Sequence, residues 1–214
     1  MSPRPRKVSD EDVFAALQRV MSRVGPGELT LAMVAAEVGV TAGALVQRFG
    51  SKRALLLAVS AGAADSAGDF IQQLRTSHRS PLAALREYAE CMSHLAESPA
   101  ALTRNLAYLQ IDLSDADFRK HLLVQSRATR DGFEELIGEA VAARELVRGT
   151  DARKLARTVE AVLSGSLLTW AIYREGTAAR WMRERVDEVL APHLVKRRTA
   201  RPRRALTRAV DSRI

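Results

Sequence analysis

Five closely spaced residues carry side chains of the kinds that read the edges of DNA bases. Gln47 can pair bidentately with adenine, and Arg48 can reach guanine or a phosphate. Thr41, Gly43 and Ala44 are small, so that a base edge can approach the backbone closely. We therefore expect these positions to bind double-stranded DNA, with a palindromic duplex as the preferred site.

The segment 30–49 predicts the two short helices that would position these side chains. Thr30 and Thr41 are suited to cap their N-termini, because a side-chain oxygen there accepts from unpaired N–H groups. Gly39 supplies the left-handed residue that ends the first helix. The apolar residues fall on one inward face of each helix: Val34, Val38, Leu45 and Phe49. This is helix-turn-helix spacing, in which the second helix lies in the major groove.

Residues 29–55 also resemble the N-terminal domain of the tetracycline-repressor (TetR) family. The shared features are the opening threonine, Val34-Ala35, Gly39-Val40, Leu45, Phe49 and Ser51-Lys52-x-x-Leu55. The resemblance implies that Thr30 and Lys52 hold phosphates at helix N-termini. It also implies a homodimeric regulator with a small-molecule effector. Val46 departs from the pattern, since the family usually has an aromatic residue there that touches a phosphate.

Other kinds of chemistry lack a motif in this chain. No phosphate-binding GKS/T loop, GxSxG elbow, HExxH or paired CxxC is present, so we expect neither catalysis, a cofactor nor a metal site. The single cysteine, Cys91, suits a reducing compartment. We expect no membrane-spanning run and no leader, and hence a cytoplasmic protein.

Helical periodicity and capping residues recur along the whole chain and predict an all-α protein of about nine helices. Residues 8–56 would form a three-helix helix-turn-helix domain. Residues 57–195 would form a larger helical domain for ligand binding and dimerisation. Residues 196–214 hold eight Lys or Arg against one Asp, and we expect a disordered basic tail that adds DNA affinity without specificity or serves only solubility.

The last two long helices predict a dimer interface. Between Ala161 and Tyr173 the chain is apolar or small nearly all round, so one core cannot bury it. The predicted interface residues are Leu163, Gly165, Leu167, Trp181, Met182, Val186, Val189 and Leu190. The alternative is that both helices simply pack inside a monomer.

Polar residues that interrupt apolar stripes, together with nearby aromatic and sulfur-containing side chains, are candidates for an effector pocket. The predicted pocket residues are Phe70, Met92, Asn105, Tyr108, Gln125, Thr129, Ser166 and Trp170. The few charges on inward faces favour a mostly apolar or amphipathic ligand.

Three functions fit these patterns. The first is a homodimeric TetR-like repressor that is released from its operator by a small apolar or amphipathic ligand. The second is a ligand-independent DNA-binding regulator whose basic tail dominates affinity. The third is an all-helical enzyme or a partner-binding adaptor.

Overall fold

The computed structural model describes residues 8–195, and within that range the protein is all-α. The predicted tail, 196–214, lies outside the described residues. The helices are α1 (Asp10–Met21), α2 (Leu31–Val38), α3 (Ala42–Phe49), α4 (Lys52–Ser77), α5 (Pro81–Met92), α6 (Pro99–Ser114), α7 (Ala116–Ala142), α8 (Ala152–Tyr173) and α9 (Ala178–Leu190).

Side-chain caps set where these helices begin. Each of the nine is preceded by a Ser, Thr or Asp whose side chain accepts a hydrogen bond from a backbone N–H of the first turn. Ser9 and Asp12 form a reciprocal capping box at α1. Gly39 ends α2 in the left-handed conformation (φ 77°) and allows the tight turn into α3.

An N-terminal core joins α1, α2, α3 and the start of α4. Leu17, Val34, Leu45 and Leu55 are almost completely buried there. Tyr108 of α6 and Phe118 of α7 belong to the same cluster, although they come from the body of the chain. We call helices α1–α3 the reader, because the sequence predicts that they bind DNA, and the remaining helices α4–α9 the body. The reader is therefore packed onto the body. A division at residue 56, which falls inside the continuous helix α4, stays a prediction.

The body has its own core, formed by α4, α5, α7, α8 and α9. The longest packing interface runs between α4 and α7. Helix α9 lies against both α5 and α8, and Arg86 of α5 pairs with Asp187 of α9 at 2.6 Å. The α7–α8 turn pairs with the chain after α9 through an isolated bridge between Leu146 and Leu194.

Five of the residues predicted for the dimer interface lie inside the single chain instead. Leu163 and Leu167 are each 6% exposed, and three α9 residues are fully buried: Met182, Val186 and Leu190. The apolar stripe of α9 is covered by α5 and α8 of its own chain, and Leu163 and Leu167 of α8 belong to the same body core. Trp181 and Val189 are only partly covered and pack at the margin of that core.

Helix α4 corrects the expectation that no segment is long and apolar enough to span a membrane. An 18-residue window of this 26-residue helix has a mean hydropathy of 1.4, which meets that criterion by length and composition. Of that window, 28% is buried inside the protein. The buried residues of α4 are Leu55 and Leu56, which belong to the N-terminal core, and Ala64, Ile71 and Leu74.

The closest approach of α4 and α7 yields a stability prediction at Gly132. A β-carbon at this position would lie 2.8 Å from Cδ1 and 2.9 Å from Cγ2 of the buried Ile71. Gly132→Ala should lower the free energy of unfolding by up to about 2 kcal/mol, because overpacking costs about 1–3 kcal/mol and is offset only in part by a gain of up to about 1 kcal/mol in helix propensity.

Gly138, one and a half turns further along α7, is the matched control because a β-carbon there meets nothing within 4 Å. Gly138→Ala should be neutral or raise stability. Urea unfolding of the two variants measures both effects, and equal effects at the two positions would contradict this account of the α4–α7 crossing.

Candidate DNA interface and ligand cavity

Helix α3 presents a small polar surface to solvent. Thr41, Gly43, Ala44 and Gln47 are all exposed, whereas Leu45 is buried beneath them. Thr41 caps the helix by accepting from the Ala44 N–H at 3.1 Å. Gln47 makes no hydrogen bond to any other described residue, so its amide is available to a ligand. The predicted reading face therefore lies together on one accessible surface.

Arg48 is engaged within the protein rather than extended from it. Its Nη1 donates to the Val8 carbonyl at 2.8 Å, and its guanidinium pairs with Asp10 and lies 5.4 Å from the Phe49 ring centre. These contacts tie α3 to the start of α1. The role of Arg48 in contacting DNA stays a prediction that requires these surface contacts to open.

Lys52 is also committed to internal contacts. Its Nζ donates to the carbonyls of Pro26 at 3.1 Å and Leu29 at 2.9 Å. The ammonium group has three N–H donors, so one remains for a phosphate. Lys52 thus holds the α1–α2 loop against the start of α4. The sequence motif did not predict this structural role. Thr30 caps α2 beside that loop and is exposed.

Glu37 holds α1 and α2 together at the reader's outer edge. It accepts from Arg19 at 2.8 Å and from Arg23 at 2.5 Å. These two hydrogen-bonding guanidinium groups lower the pKa of the Glu37 carboxyl. The exposed pairs orient the helices but add little to stability.

The body contains a cavity of about 400 Å³ between α5, α6, α7 and α8. Five of the eight predicted pocket residues line it: Met92, Asn105, Tyr108, Gln125 and Thr129. Its other apolar walls include Leu102, Leu106, Phe133 and Leu167. Its size and its mixture of apolar walls and a few polar groups are typical of a small-molecule site.

Three of the predicted pocket residues do not line this cavity. Phe70 lies on the outer side of Tyr88, with ring centres 5.9 Å apart, and is 39% exposed. Ser166 is buried, and its hydroxyl donates to the Val162 carbonyl of its own helix at 2.5 Å. Trp170 is buried in the body core and donates to the Gly176 carbonyl at 3.3 Å. These three residues therefore lie outside the wall of this cavity.

The sequence interpretation missed the groups that give the cavity its charge. Asp112 of α6 and Glu160 of α8 line it, as does Tyr88 of α5. Burial raises the pKa of the Asp112 carboxyl. Glu160 accepts from Arg130 of α7 at 2.6 Å. Asp112 lies one turn after Tyr108 on the same face of α6, which is the signal that could have identified it.

Helix α6 connects the cavity to the reader. Tyr108 lines the cavity with its ring, while its hydroxyl donates to the Val24 carbonyl in the α1–α2 loop at 3.1 Å. Burial raises the pKa of Tyr108 to about 12, so the hydroxyl remains a donor at neutral pH. One turn earlier, Arg104 donates to the Ser22 carbonyl at 3.0 Å. Both contacts run from the body to the end of α1.

A second link joins the start of α4 to the start of α7. Arg53 donates to both carboxylate oxygens of Asp115 and to Asp117, at 2.8–3.1 Å. The guanidinium group lowers the pKa of the Asp115 carboxyl. It also lies 5.5 Å from the centre of the Phe118 ring. The orientation of the reader is thus set by contacts with both α6 and α7.

Helix α8 leaves one small and apolar face uncovered. Ala161, Gly165, Leu168 and Ile172 recur at helical spacing along it. Ile172 is 75% exposed and Leu168 is 44% exposed. A β-carbon at Gly165 would meet nothing within 4 Å. No helix of the described chain packs closely against Gly165, so the space beside it is open.

Residues 13–59 match the sequence model of a family described as "Bacterial regulatory proteins, tetR family". This range contains α2 and α3 entirely, together with most of α1 and the start of α4. No curated protein sequence matches the chain.

Solved structures with the same fold include several transcription regulators. A TetR regulator from Haloarcula marismortui aligns with TM-score 0.69 and 17% identity, covering 87% of this chain and 98% of that one. SmeT, the repressor of the Stenotrophomonas maltophilia multidrug efflux pump SmeDEF, aligns with TM-score 0.59 and 20% identity, covering 88% and 92%. FadR from Bacillus subtilis, in complex with stearoyl-CoA, aligns with TM-score 0.64 and 15% identity, covering 86% and 98%.

Proposed function

We propose that this chain is a DNA-binding transcriptional regulator of the TetR family and not an enzyme, and that it acts as a homodimer that a small molecule releases from a palindromic operator. The observation that carries the ligand response is the position of Tyr108. Its ring forms part of the cavity wall, and its hydroxyl holds the α1–α2 loop of the reader. A molecule that displaces Tyr108 must therefore disturb the reader.

Pairing of two chains would use the uncovered face of α8. Apolar exposed surface at regular helical spacing favours burial against another helix. Gly165 allows two helices to approach closely, and the open space beside it in one chain is where a second copy would fit. Trp181 and Val189 of α9 are partly exposed at the margin of the body core, and we propose that they add to the interface. Two copies related by a twofold axis would then place both α3 helices toward one palindromic duplex.

Release from DNA requires the ligand to bind one arrangement of the dimer more tightly than another. We propose that the bound ligand shifts α6 and tilts α4, which changes the distance between the two α3 helices. A hundredfold loss of operator affinity then requires about 2.7 kcal/mol of coupling. By the same linkage, operator DNA must weaken ligand binding a hundredfold. SmeT has been seen in complex with triclosan, and the FadR structure above holds stearoyl-CoA, so ligands occur in proteins of this fold.

Substitutions at Gln47 and Lys52 test the DNA-binding half of this proposal. Gln47→Ala should change the preferred base at two symmetry-related positions, by about 1–3 kcal/mol, because an exposed amide reads base edges. Lys52→Met should weaken binding to all duplexes alike. It should also lower thermal stability, because two carbonyls lose their donor.

Competition binding with single-base variants of an operator, paired with thermal unfolding, measures these effects. Gln72→Ala is the control, since Gln72 lies on the distant half of α4 and pairs only with Glu135 there. If Gln47→Ala has the same base preference as the native protein, α3 is not the helix that contacts the base edges.

A further inference from the structure

The cavity has acidic groups in its wall, although its walls are mostly apolar. Among its lining residues are two carboxylic acids, Asp112 and Glu160, and no Lys, Arg or His. The remaining polar groups are neutral amides and hydroxyls, including those of Asn105, Gln125 and Thr129. A ligand placed here meets acceptor groups and negative charge but no cationic side chain.

The two acids differ in how they are compensated. Glu160 is paired with Arg130, which approaches from α7 at 2.6 Å. Asp112 makes no ion pair or hydrogen bond with any other residue between 8 and 195. It is also partly withdrawn from water, and burial raises the pKa of its carboxyl. An unpaired carboxylate in such surroundings is costly in the empty protein, and a bound cation would remove that cost.

Aromatic side chains in the cavity wall also favour the binding of a cation. Tyr88, Tyr108 and Phe133 all line the cavity, and Tyr88 meets Phe133 edge to face with ring centres 4.8 Å apart. The faces of aromatic rings attract cations, and quaternary ammonium groups are recognised in this way. Leu102, Leu106 and Leu167 offer apolar surface for the rest of a ligand.

We infer that the effector of this regulator is a lipophilic cation: an amine or quaternary ammonium group on an apolar body, with its charge at Asp112. This inference rests on the proposed function for its regulatory meaning, but the binding itself requires only the cavity. It narrows the sequence-based expectation of a mostly apolar or amphipathic ligand to one that carries a positive charge. It also disfavours anionic molecules such as acyl-CoA thioesters, whose phosphates would meet the carboxylates without a cationic partner.

The position of Asp112 explains how a bound cation would affect the reader. Asp112 and Tyr108 also line a small cleft of about 50 Å³ whose other walls include Met21 of α1 and Leu56 of α4. A cation held by Asp112 therefore lies beside the contact between body and reader. The apolar part of the ligand would extend away from the reader, toward Leu102 and Leu167.

Calorimetric titration of the full chain without DNA tests the inference, with three ligands whose chains each contain ten carbon atoms: decyltrimethylammonium, decanol and decanoate, all below micelle-forming concentrations. Decyltrimethylammonium should bind at least about tenfold more tightly than decanol, because its charge adds ionic attraction to Asp112 and cation–π attraction to the aromatic rings. Decanoate should bind more weakly than either. Equal binding of the three, or no binding of the cation, would overturn the inference.

Variants at Asp112 separate a specific site from adventitious uptake. Asp112→Asn should lower affinity for decyltrimethylammonium about tenfold or more and leave decanol nearly unaffected, whereas Asp112→Glu should retain cation binding. Asp65→Asn, which removes an exposed acid of α4 outside the cavity, should change neither ligand. If Asp112→Asn binds the cation as the native protein does, Asp112 is not the site of its charge.

Thermal unfolding of Asp112→Asn provides a readout independent of the ligand. Burial raises the pKa of the Asp112 carboxyl in the folded protein, so the protein loses stability as the pH rises from the unfolded-state pKa through the folded-state pKa, and the cost persists above that range. Asp112→Asn should therefore unfold at a slightly higher temperature than the native protein at pH 7 while binding the cation less tightly. Cation binding that responds to Asp112 but leaves DNA affinity unchanged would support the inference and contradict the ligand-released regulator.

Discussion

Gly165→Glu is expected to convert the protein from a dimer to a monomer without harming the fold of the single chain. Glutamate is a better helix former than glycine by about 0.5–1 kcal/mol, and a β-carbon at Gly165 meets nothing within 4 Å. At a dimer contact, however, the side chain would occupy the space of the partner helix and bury an unpaired charge. Such burial costs about 3–5 kcal/mol, which corresponds to at least a hundredfold weaker dimer.

Light scattering at micromolar concentration should report twice the chain mass for the native protein and one chain mass for Gly165→Glu. The affinity for a full palindrome should fall to that for a half-site, because the two α3 helices are no longer held at a fixed separation. Gly138→Glu makes the same change at an exposed glycine of α7 where a β-carbon also meets nothing, and it should remain dimeric. A native protein that is already monomeric would exclude the paired reader.

Ala44→Glu is expected to abolish DNA binding while preserving or raising stability. Ala44 is exposed, and its backbone N–H donates to the cap residue Thr41. It occupies the third position of α3, where glutamate completes a capping box with a threonine cap. The same carboxylate would point at the duplex, and like charge at an interface costs several kcal/mol. We expect operator affinity to fall by about a hundredfold or more.

Ala44→Gln is the matched control, because it has the same length as glutamate but no charge. It should weaken or alter DNA binding far less than Ala44→Glu does. Fluorescence anisotropy with a labelled operator measures affinity, and thermal unfolding reports on the cap. If Ala44→Glu binds operator as tightly as Ala44→Gln, then α3 does not lie against the DNA.

The reader could be predicted from the sequence because its signals are local. Thr30 and Thr41 cap helices that begin at the next residue, and Gly39 takes the left-handed conformation that ends α2. What the spacing could not show is where long side chains go. Lys52 and Arg48 bind backbone carbonyls 23 to 40 residues away, and these partners meet only after the three helices have packed.

The cavity could be predicted only in part. Asn105, Gln125 and Thr129 interrupt apolar faces and do line it, but Ser166 interrupts a face in the same way. The Ser166 hydroxyl donates to a carbonyl of its own helix. The residue type alone therefore does not distinguish a polar residue that lines a cavity from one that is buried in the core. Asp112 and Glu160 were missed because an acidic residue on an amphipathic helix is usually solvated, and only the packing of α6 and α8 brings both to one space.

The apolar stripe of α9 shows that the sequence can predict burial without predicting the packing partner. Met182, Val186 and Leu190 fall at the spacing of a buried face, and all three are buried within the single chain. The sequence does not specify which surface covers the stripe, and α5 and α8 of the same chain do so. The surface that remains for a second copy lies on α8, where Leu168 and Ile172 are exposed.

Selection of bound duplexes from a random DNA pool by the full-length protein tests the central claim most directly, since an operator-binding dimer must impose its own symmetry on the sequences it retains. The account predicts enrichment of one inverted repeat whose half-sites are centred about 34–36 Å apart, or one helical turn, with two or a multiple of two chains bound per duplex. Enrichment of no sequence, or of a site without twofold symmetry bound by a single chain, would contradict it.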